Sequence, residues 1–209
     1  VLDMSQTAGL VDCDVGRNTF DFAVFAGHKT LYGPTGISGF IMKPEIKLPP
    51  VLFGGTGYDS ANQDMPEDLP QKYEMGTQDI AGIAGLNAAL GWSAQVTIDA
   101  IRKKEAENRK KLIDLLSRYS YIKIIGNYDS CNYVGIVSCI IEGISSDSAG
   151  PVFDRCGIAV RTGLQCAPLA HQFMGTFPAG TIRFSVNYFT TDKDFAELEQ
   201  ALDYIDSEL

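Results

Sequence analysis

The sequence predicts an α/β fold in its first part and a small α+β domain in its second, with the division near residue 95. Three observations predict it. Short continuous apolar runs such as Phe22-Ala23-Val24-Phe25 suit strands of a sheet covered on both faces. A helical periodicity then runs from about Gly82 to Ser117. After it, short strands and helices mix, ending in an amphipathic helix.

Taken in order, Val1-Leu2-Asp3 reads as the end of a strand, Phe22 to Phe25 as a second and Ile37 to Met42 as a third. Pro49-Pro50 punctuates the chain, and residues 51–79, rich in Gly, Asp, Pro and Gln, read as a long irregular segment. Irregular segments of that length are usually functional or part of an interface. Leu86, Leu90, Val96, Ile98, Ile101, Leu112, Leu115 and Leu116 recur at helical intervals, with Gly91 the expected bend. Tyr121 to Ile125 and Val134 to Ile141 read as strands. Ser145-Ser146-Asp147 is an N-terminal cap for a helix that ends at Cys156-Gly157. Ile158-Ala159-Val160 and Thr181 to Val186 are further strand candidates. Thr191-Asp192-Lys193-Asp194 opens a last helix with Phe195, Leu198, Leu202 and Ile205 on one face.

Composition excludes several function classes. Of the 209 residues 45% are hydrophobic and 21% charged, an ordinary globular balance. The net charge of −9 disfavours nucleic-acid phosphate and anionic membranes as partners. No apolar run approaches the roughly 20 residues of a membrane span, and the first residues lack a signal-peptide pattern. The basic clusters at Arg102-Lys103-Lys104 and Arg109-Lys110-Lys111 are interleaved with Glu105 and Glu107, as on a solvated helix face. Five cysteines (Cys13, Cys131, Cys139, Cys156, Cys166) without Cys-x-x-Cys spacing argue against a disulfide framework and a zinc site, and for a reducing cytoplasm. With two histidines, His28 and His171, no metal centre is expected. The chain begins without methionine on what reads as a strand already under way, so a further N-terminal portion is expected upstream.

Four places can carry chemistry, and each has a plainer reading. Asp3 with Gln6 lies at a strand's C-terminal end, where ligands bind in open α/β sheets; a carboxylate there can keep a pyridine nitrogen protonated. The plainer reading is an Asx turn. Lys29, beside His28 in Gly27-His28-Lys29-Thr30-Leu31-Tyr32-Gly33-Pro34-Thr35-Gly36, follows an apolar strand. A lysine partly shielded from water becomes a competent amine nucleophile, usually toward a carbonyl cofactor such as pyridoxal phosphate; a surface turn lysine is the alternative. Gly54 to Ser60 offers backbone N–H groups and hydroxyls to an anion but lacks the lysine of a nucleotide loop, and equally suits a plain flexible loop. Cys166 sits in a polar loop, Arg161-Thr162-Gly163-Leu164-Gln165-Cys166-Ala167-Pro168, where a thiol can be exposed and activated. The other four cysteines sit in apolar or turn contexts and read as small core residues. Arg183, inside an apolar strand, needs a partner: a substrate carboxylate gripped bidentately, or a structural ion pair.

Together these pieces resemble the class V aminotransferase-like enzymes, and within them the cysteine desulfurases and selenocysteine lyases. The resemblance rests on an ordered set running the length of the chain: Asp3-x-x-Gln6-x-x-Gly9, Gly27-His28-Lys29-x-x-x-Gly33-Pro34-x-Gly36, Gly55-Thr56-Gly57, Tyr73-Glu74-x-Gly76-Thr77, Arg161-x-Gly163-x-x-Cys166-Ala167 and Arg183-x-Ser185. It implies the C-terminal half of a fold-type I pyridoxal-phosphate-dependent transferase large domain plus a small α+β C-terminal domain. Residues 1–95 would belong to the cofactor-binding large domain, whose first half is missing. Residues 96–209 would form a linking helix and the small domain.

The resemblance implies pyridoxal 5'-phosphate as cofactor. Lys29 would be the Schiff-base lysine, Asp3 the partner of the pyridine nitrogen and Gln6 a donor to the ring phenolate. His28 would contact the cofactor phosphate, and Thr56 the phosphate held by the neighbouring subunit of a homodimer. Arg183 would bind the substrate α-carboxylate. Cys166 would take sulfur from L-cysteine as a persulfide for a sulfur-acceptor protein, leaving alanine, with Lys29 as the acid/base. Gln165 stands where many relatives have histidine, and Thr190-Thr191 where Asn-Thr is common. Two alternatives stay open: a selenocysteine lyase or another class V aminotransferase or epimerase, and a non-catalytic assembly module in this truncated form.

Overall fold

A computed structural model describes residues 1–17, 20–126 and 133–208. Cys131 lies outside the described residues. The chain divides into two compact units, Val1–Val96 and Thr97–Leu209.

The first unit is built on a three-stranded sheet of order β1-β2-β3. β1 (Leu2–Asp3) pairs parallel with β2 (Phe22–Ala26), and β3 (Ser38–Met42) pairs antiparallel with β2. Ala23 and Ala26 are buried on β2, and Phe22 stacks on Phe40 of β3 with ring centroids 4.8 Å apart. The expectation of a sheet covered on both faces is not met: on the edge strand β3, Phe40 and Ile41 are 43% and 44% exposed. Residues 43–79 are irregular apart from a 3-10 turn at Gln71–Tyr73, as the Gly, Pro and Asp content predicts. Tyr73 Oη donates to the Leu48 carbonyl at 2.9 Å, and the Gly76 N–H donates to the Gly55 carbonyl at 2.7 Å.

Helix α1 (Ile80–Val96) closes this unit. Asp79 caps it by accepting from the Gly82 N–H at 2.9 Å. A Cβ on Gly85 would lie 2.8 Å from Pro34 Cγ, so glycine lets α1 approach the turn after β2. No break falls at Gly91, which lies inside α1. The break comes at Thr97, whose φ is +77° and whose Oγ1 accepts from the Ala100 N–H at 3.3 Å to start the next helix. A residue that caps one helix cannot continue the previous one.

In the second unit, α2 (Ile98–Leu116), α3 (Ser146–Arg155) and α5 (Asp192–Glu208) accompany an antiparallel sheet of order β4-β5-β7-β6. Its strands are β4 (Ile122–Ile125), β5 (Ile136–Ile141), β6 (Arg161–Gly163) and β7 (Thr181–Ser185). The core joins Leu112, Leu115 and Leu116 of α2, Val137 and Cys139 of β5, Phe153 of α3, Ile182 and Phe184 of β7, and Leu198, Leu202 and Ile205 of α5. This apolar clustering is the dominant stabilising term. Ser145 caps α3 by accepting from the Ser148 N–H, and the Asp194 carboxylate accepts from the Thr191 N–H at 2.7 Å, both as the sequence predicts.

One strand is displaced from its expected place. Ile158–Val160 is not a strand; β6 begins at Arg161. The reason is the end of α3: Gly157 takes φ +73°, its N–H donates to the Asp154 carbonyl, and the Ile158 N–H reaches back to the Phe153 carbonyl at 2.9 Å. That Schellman closure occupies Ile158 with the helix and delays the strand. The short helix α4 (Pro168–Phe173), with proline in its first turn, has no apolar periodicity to announce it.

Candidate active site

The candidate residues fall into one group in each unit. In the first unit the parallel pairing sets Asp3 against Val24, so Asp3 ends β1 at the edge where β2 runs on into Gly27-His28-Lys29. C-terminal strand ends are where open α/β sheets bind ligands. Asp3 is exposed, and its Oδ1 accepts from the Ser5 N–H at 2.8 Å, the Asx turn of the plainer reading. Hydrogen bonds from Ser5 hold the Asp3 carboxyl below its ordinary range, with Lys29 adding a smaller electrostatic contribution. Gln6 is half-buried in the turn that follows, where the Thr7 and Ala8 N–H groups donate to the Met4 carbonyl.

The lysine turn is closed by backbone hydrogen bonds. The Gly27 N–H donates to Ile37 O at 3.0 Å, Gly33 N–H to Gly27 O at 2.7 Å, and Tyr32 N–H to Lys29 O at 3.0 Å. Glycine is required here by close approach: a Cβ on Gly27 would stand 2.8 Å from Ile37 Cγ2, and one on Gly33 2.7 Å from Gly27 O. The tight turn presents both His28 and Lys29 to solvent. This corrects the expectation that Lys29 is partly shielded: no neighbour in the described chain covers it. Thr30 beside it is half-buried, with its Oγ1 enclosed and lacking a hydrogen-bond partner.

Thr56 is half-buried in the glycine loop, and its Oγ1 accepts from the Tyr58 N–H at 3.2 Å. Residues Phe53 to Met65 line a hollow of about 500 Å³ there. Gly55, Gly57 and Gly76 have open space where a Cβ would stand, so the glycines leave a backbone accessible from outside.

In the second unit Cys166 is exposed, and Arg161 Nη2 donates to its Sγ at 3.1 Å. Gln165 and Cys166 take φ +52° and +61°, two successive left-handed residues that fold the loop back on the start of β6. Gln165 holds that fold: its Nε2 donates to the carbonyls of Arg161 at 2.9 Å, Gly163 at 3.3 Å and Thr181 at 3.3 Å. Arg183 on β7 lies opposite Arg161 in the strand register. It is half-buried with Nε enclosed and unpartnered, and among the described residues no carboxylate pairs with either arginine. Burial first, and then Arg161, weakens the hold of Arg183 on its proton, with Cys166 acting in the opposite sense.

Of the remaining described cysteines only Cys139 is the small core residue expected. Burial pushes the Cys139 thiol up to about 12, and Cys13 and Cys156 are half-buried. Among the described residues no cluster of His, Cys, Asp or Glu has the makings of a metal site, and no helix is long and apolar enough to cross a membrane. Sequence reasoning set Cys166 downstream of Arg161 in a loop that can activate a thiol, but assigned no role to the side chain of Gln165. The spacing Arg-x-Gly-x-x-Cys was the available signal, because a turn at glycine can return the thiol to the arginine.

The family model for aminotransferase class-V matches residues 1–198. A protein of Methanothermobacter thermautotrophicus named probable cysteine desulfurase is 30% identical over 211 residues, which is 98% of this chain and 52% of that protein. One of Mycobacterium leprae, named probable cysteine desulfurase 2, is 32% identical over 217 residues, 100% of this chain and 51% of that protein. The solved apo structure of cysteine desulfurase from Thermococcus onnurineus NA1 superposes with a TM-score of 0.87 at 25% identity, over 99% of this chain and 52% of that one. The cysteine desulfurase CsdA from Escherichia coli, solved as an S-sulfonic acid, gives 0.83 at 27% identity, over 99% and 51%. The chain spans about half the length of the curated relatives it matches.

Proposed function

This chain belongs to the class V aminotransferase family and has the fold-type I architecture, and we propose that the protein is a pyridoxal-phosphate-dependent cysteine desulfurase. It removes sulfur from L-cysteine, leaving L-alanine and a persulfide on Cys166. The observation that carries the proposal is the exposed Cys166 thiol, offered on a left-handed loop and hydrogen-bonded by a guanidinium. An aminotransferase has no use for such a thiol. We extend the proposal to a homodimer, a cytoplasmic location and a sulfur-acceptor protein, and to residues 1–95 and 96–209 as the cofactor-binding and small-domain portions of the parent protein.

The residues fit the cofactor. Asp3 offers an ionised carboxylate at a strand end, the partner that a protonated ring nitrogen requires. Lys29 offers an exposed primary amine at the end of the neighbouring parallel strand, on a turn where Gly27 and Gly33 admit no Cβ. His28, Gln6 and Thr56 are hydrogen-bond donors suited to the phosphate and the phenolate oxygen. Bound there, the cofactor would supply an electron sink for charge developing on the substrate.

The chain's own residues do the rest. Asp3, held below the ordinary carboxylate range, stays ionised at neutral pH and keeps the ring nitrogen protonated. Arg183, unpaired by any described carboxylate, grips the substrate α-carboxylate. Lys29 moves protons at the substrate carbon. Cys166 attacks the substrate sulfur as thiolate. The test is release of alanine and sulfide from L-cysteine by the cofactor-loaded protein, with a reductant present. Activity is expected, C166S should abolish it, and K29A should abolish both activity and the visible absorption of the bound cofactor. Unchanged turnover in C166S would overturn the proposal.

A further inference from the structure

On the reading that Cys166 is the sulfur acceptor, we propose that Arg161 is a catalytic residue whose guanidinium holds the Cys166 side chain as an anion, the Sγ thiolate before transfer and the terminal persulfide sulfur after it. The contact is direct, Nη2 to Sγ at 3.1 Å. A guanidinium is a donor only and does not lose its proton, so the sulfur must be the acceptor, and a sulfur anion accepts far better than a thiol.

Gln165 does not compete for this role. Its amide nitrogen is engaged with three backbone carbonyls, and its Oε1 is enclosed without a partner. An amide has no proton to exchange, so at position 165 this chain carries a brace for the loop rather than an acid or base. The brace binds the backbone carbonyl of Arg161, while the side chain of Arg161 binds the thiol. The loop therefore closes on both ends of one residue, and the two left-handed residues bring Sγ back to it.

The two strands flanking the thiol both supply positive charge. β6 supplies Arg161 and β7 supplies Arg183, in register. On α4, His171 is buried with Nδ1 at 2.7 Å from Thr176 Oγ1 and makes no bond to the thiol. The charged residues of α3 (Asp147, Asp154 and Arg155) are exposed and form no hydrogen bond with Cys166. In a chain of net charge −9, this is a local concentration of positive charge around one sulfur. Two anions need a place during the proposed reaction, and there are two arginines: Arg183 for the carboxylate, Arg161 for the sulfur.

The charge balance agrees. The thiolate's electron pair forms the S–S bond while the Cβ–S bond of cysteine breaks, its pair staying with carbon. The proton that leaves the substrate thiol is matched by the one that completes the methyl group of alanine. Thiolate plus cysteine thus gives persulfide anion plus alanine, with one negative charge on the Cys166 side chain at both ends, on Sγ before transfer and on the terminal sulfur after it. A permanently charged partner suits both states.

The test needs no cofactor. Cys166 in the protein is alkylated near neutral pH with neutral iodoacetamide and with anionic iodoacetate, and the labelled peptides are followed by mass spectrometry. R161Q is expected to slow labelling of Cys166 about tenfold, the loss of one charge-assisted hydrogen bond. It should also lower the iodoacetate-to-iodoacetamide rate ratio, while R161K restores the ratio in part and Cys156 labelling stays unchanged. Equal rates and ratios in wild type and R161Q would overturn the role of Arg161. Loss of the ratio in a protein that yields no alanine from cysteine would instead overturn the desulfurase reading and leave the sulfur–guanidinium contact standing.

Discussion

Arg161 and Arg183 stand directly opposite each other across the β6–β7 pairing, two like charges in register with no described carboxylate to separate them. Like charges facing each other across a ladder destabilise it, and the enclosed Arg183 Nε adds a desolvation cost. On the proposed reading this cost serves substrate binding, so relieving it should favour the fold. Arg183→Met, which keeps the packing of the stem, is expected to raise stability by about 1 kcal/mol in thermal unfolding while raising KM for the amino-acid substrate. A stability loss with unchanged KM would show that Arg183 is structural.

The glycines of the lysine turn answer to geometry. Gly33→Ala would place a methyl 2.7 Å from the Gly27 carbonyl oxygen and 2.9 Å from Leu86 Cδ1, and the backbone oxygen cannot move aside cheaply. We expect a loss of about 2 kcal/mol, the scale of overpacking, read by denaturant unfolding. Gly36→Ala, where no atom crowds the new methyl, should cost less despite the positive φ of Gly36. Equal effects at the two positions would refute the close-approach account.

Much of this was legible beforehand because it is local. The Ser145 and Asp194 caps follow from residue type and spacing, and the core faces of α2 and α5 from periodicity. What escaped depends on backbone closure that composition does not encode. The Schellman turn at Gly157 moved β6 three residues along, and the helical run broke at the Thr97 cap rather than at Gly91, the glycine marked for a break or bend. At the site, residue types pointed to Asp3, Lys29, Cys166 and Arg183. The exposure of Lys29 is a matter of tertiary arrangement, invisible to spacing alone, whereas the spacing Arg-x-Gly-x-x-Cys already carried the signal for the return of the Cys166 loop to Arg161.

Glu105 provides a pH-dependent test in the second unit. It is 6% exposed, and its Oε1 accepts from the Gly135 N–H at 2.6 Å. Burial raises its carboxyl above the ordinary range, with the hydrogen bond opposing. The folded state therefore keeps this proton at pH values where the unfolded chain has lost it. The group's contribution is greatest below the unfolded carboxylate range and declines as pH rises through the raised value. Glu105→Gln keeps an acceptor for Gly135 and should flatten the fall in stability as pH rises above the ordinary carboxylate range. Glu105→Ala orphans the Gly135 N–H and should cost about 1–3 kcal/mol. Urea unfolding at several pH values separates the two, and an unchanged pH slope in Glu105→Gln would contradict the assignment.

Thr97 combines a benefit and a cost at one residue. Its hydroxyl caps α2, yet its φ of +77° with ψ of 139° is a conformation that L side chains rarely adopt. Strain of this kind is of the order of 1–3 kcal/mol. Replacing a threonine cap by glycine loses only a few tenths of a kcal/mol, and the added chain entropy costs roughly 0.5–1 kcal/mol. Thr97→Gly should therefore stabilise the protein by about 1 kcal/mol. Thr97→Ala removes the cap and keeps the strain, so it should destabilise by about 1 kcal/mol. The opposite signs make the pair informative in thermal unfolding: if both variants lose stability alike, the strain at Thr97 is not a real cost and the helix break is set by the cap alone.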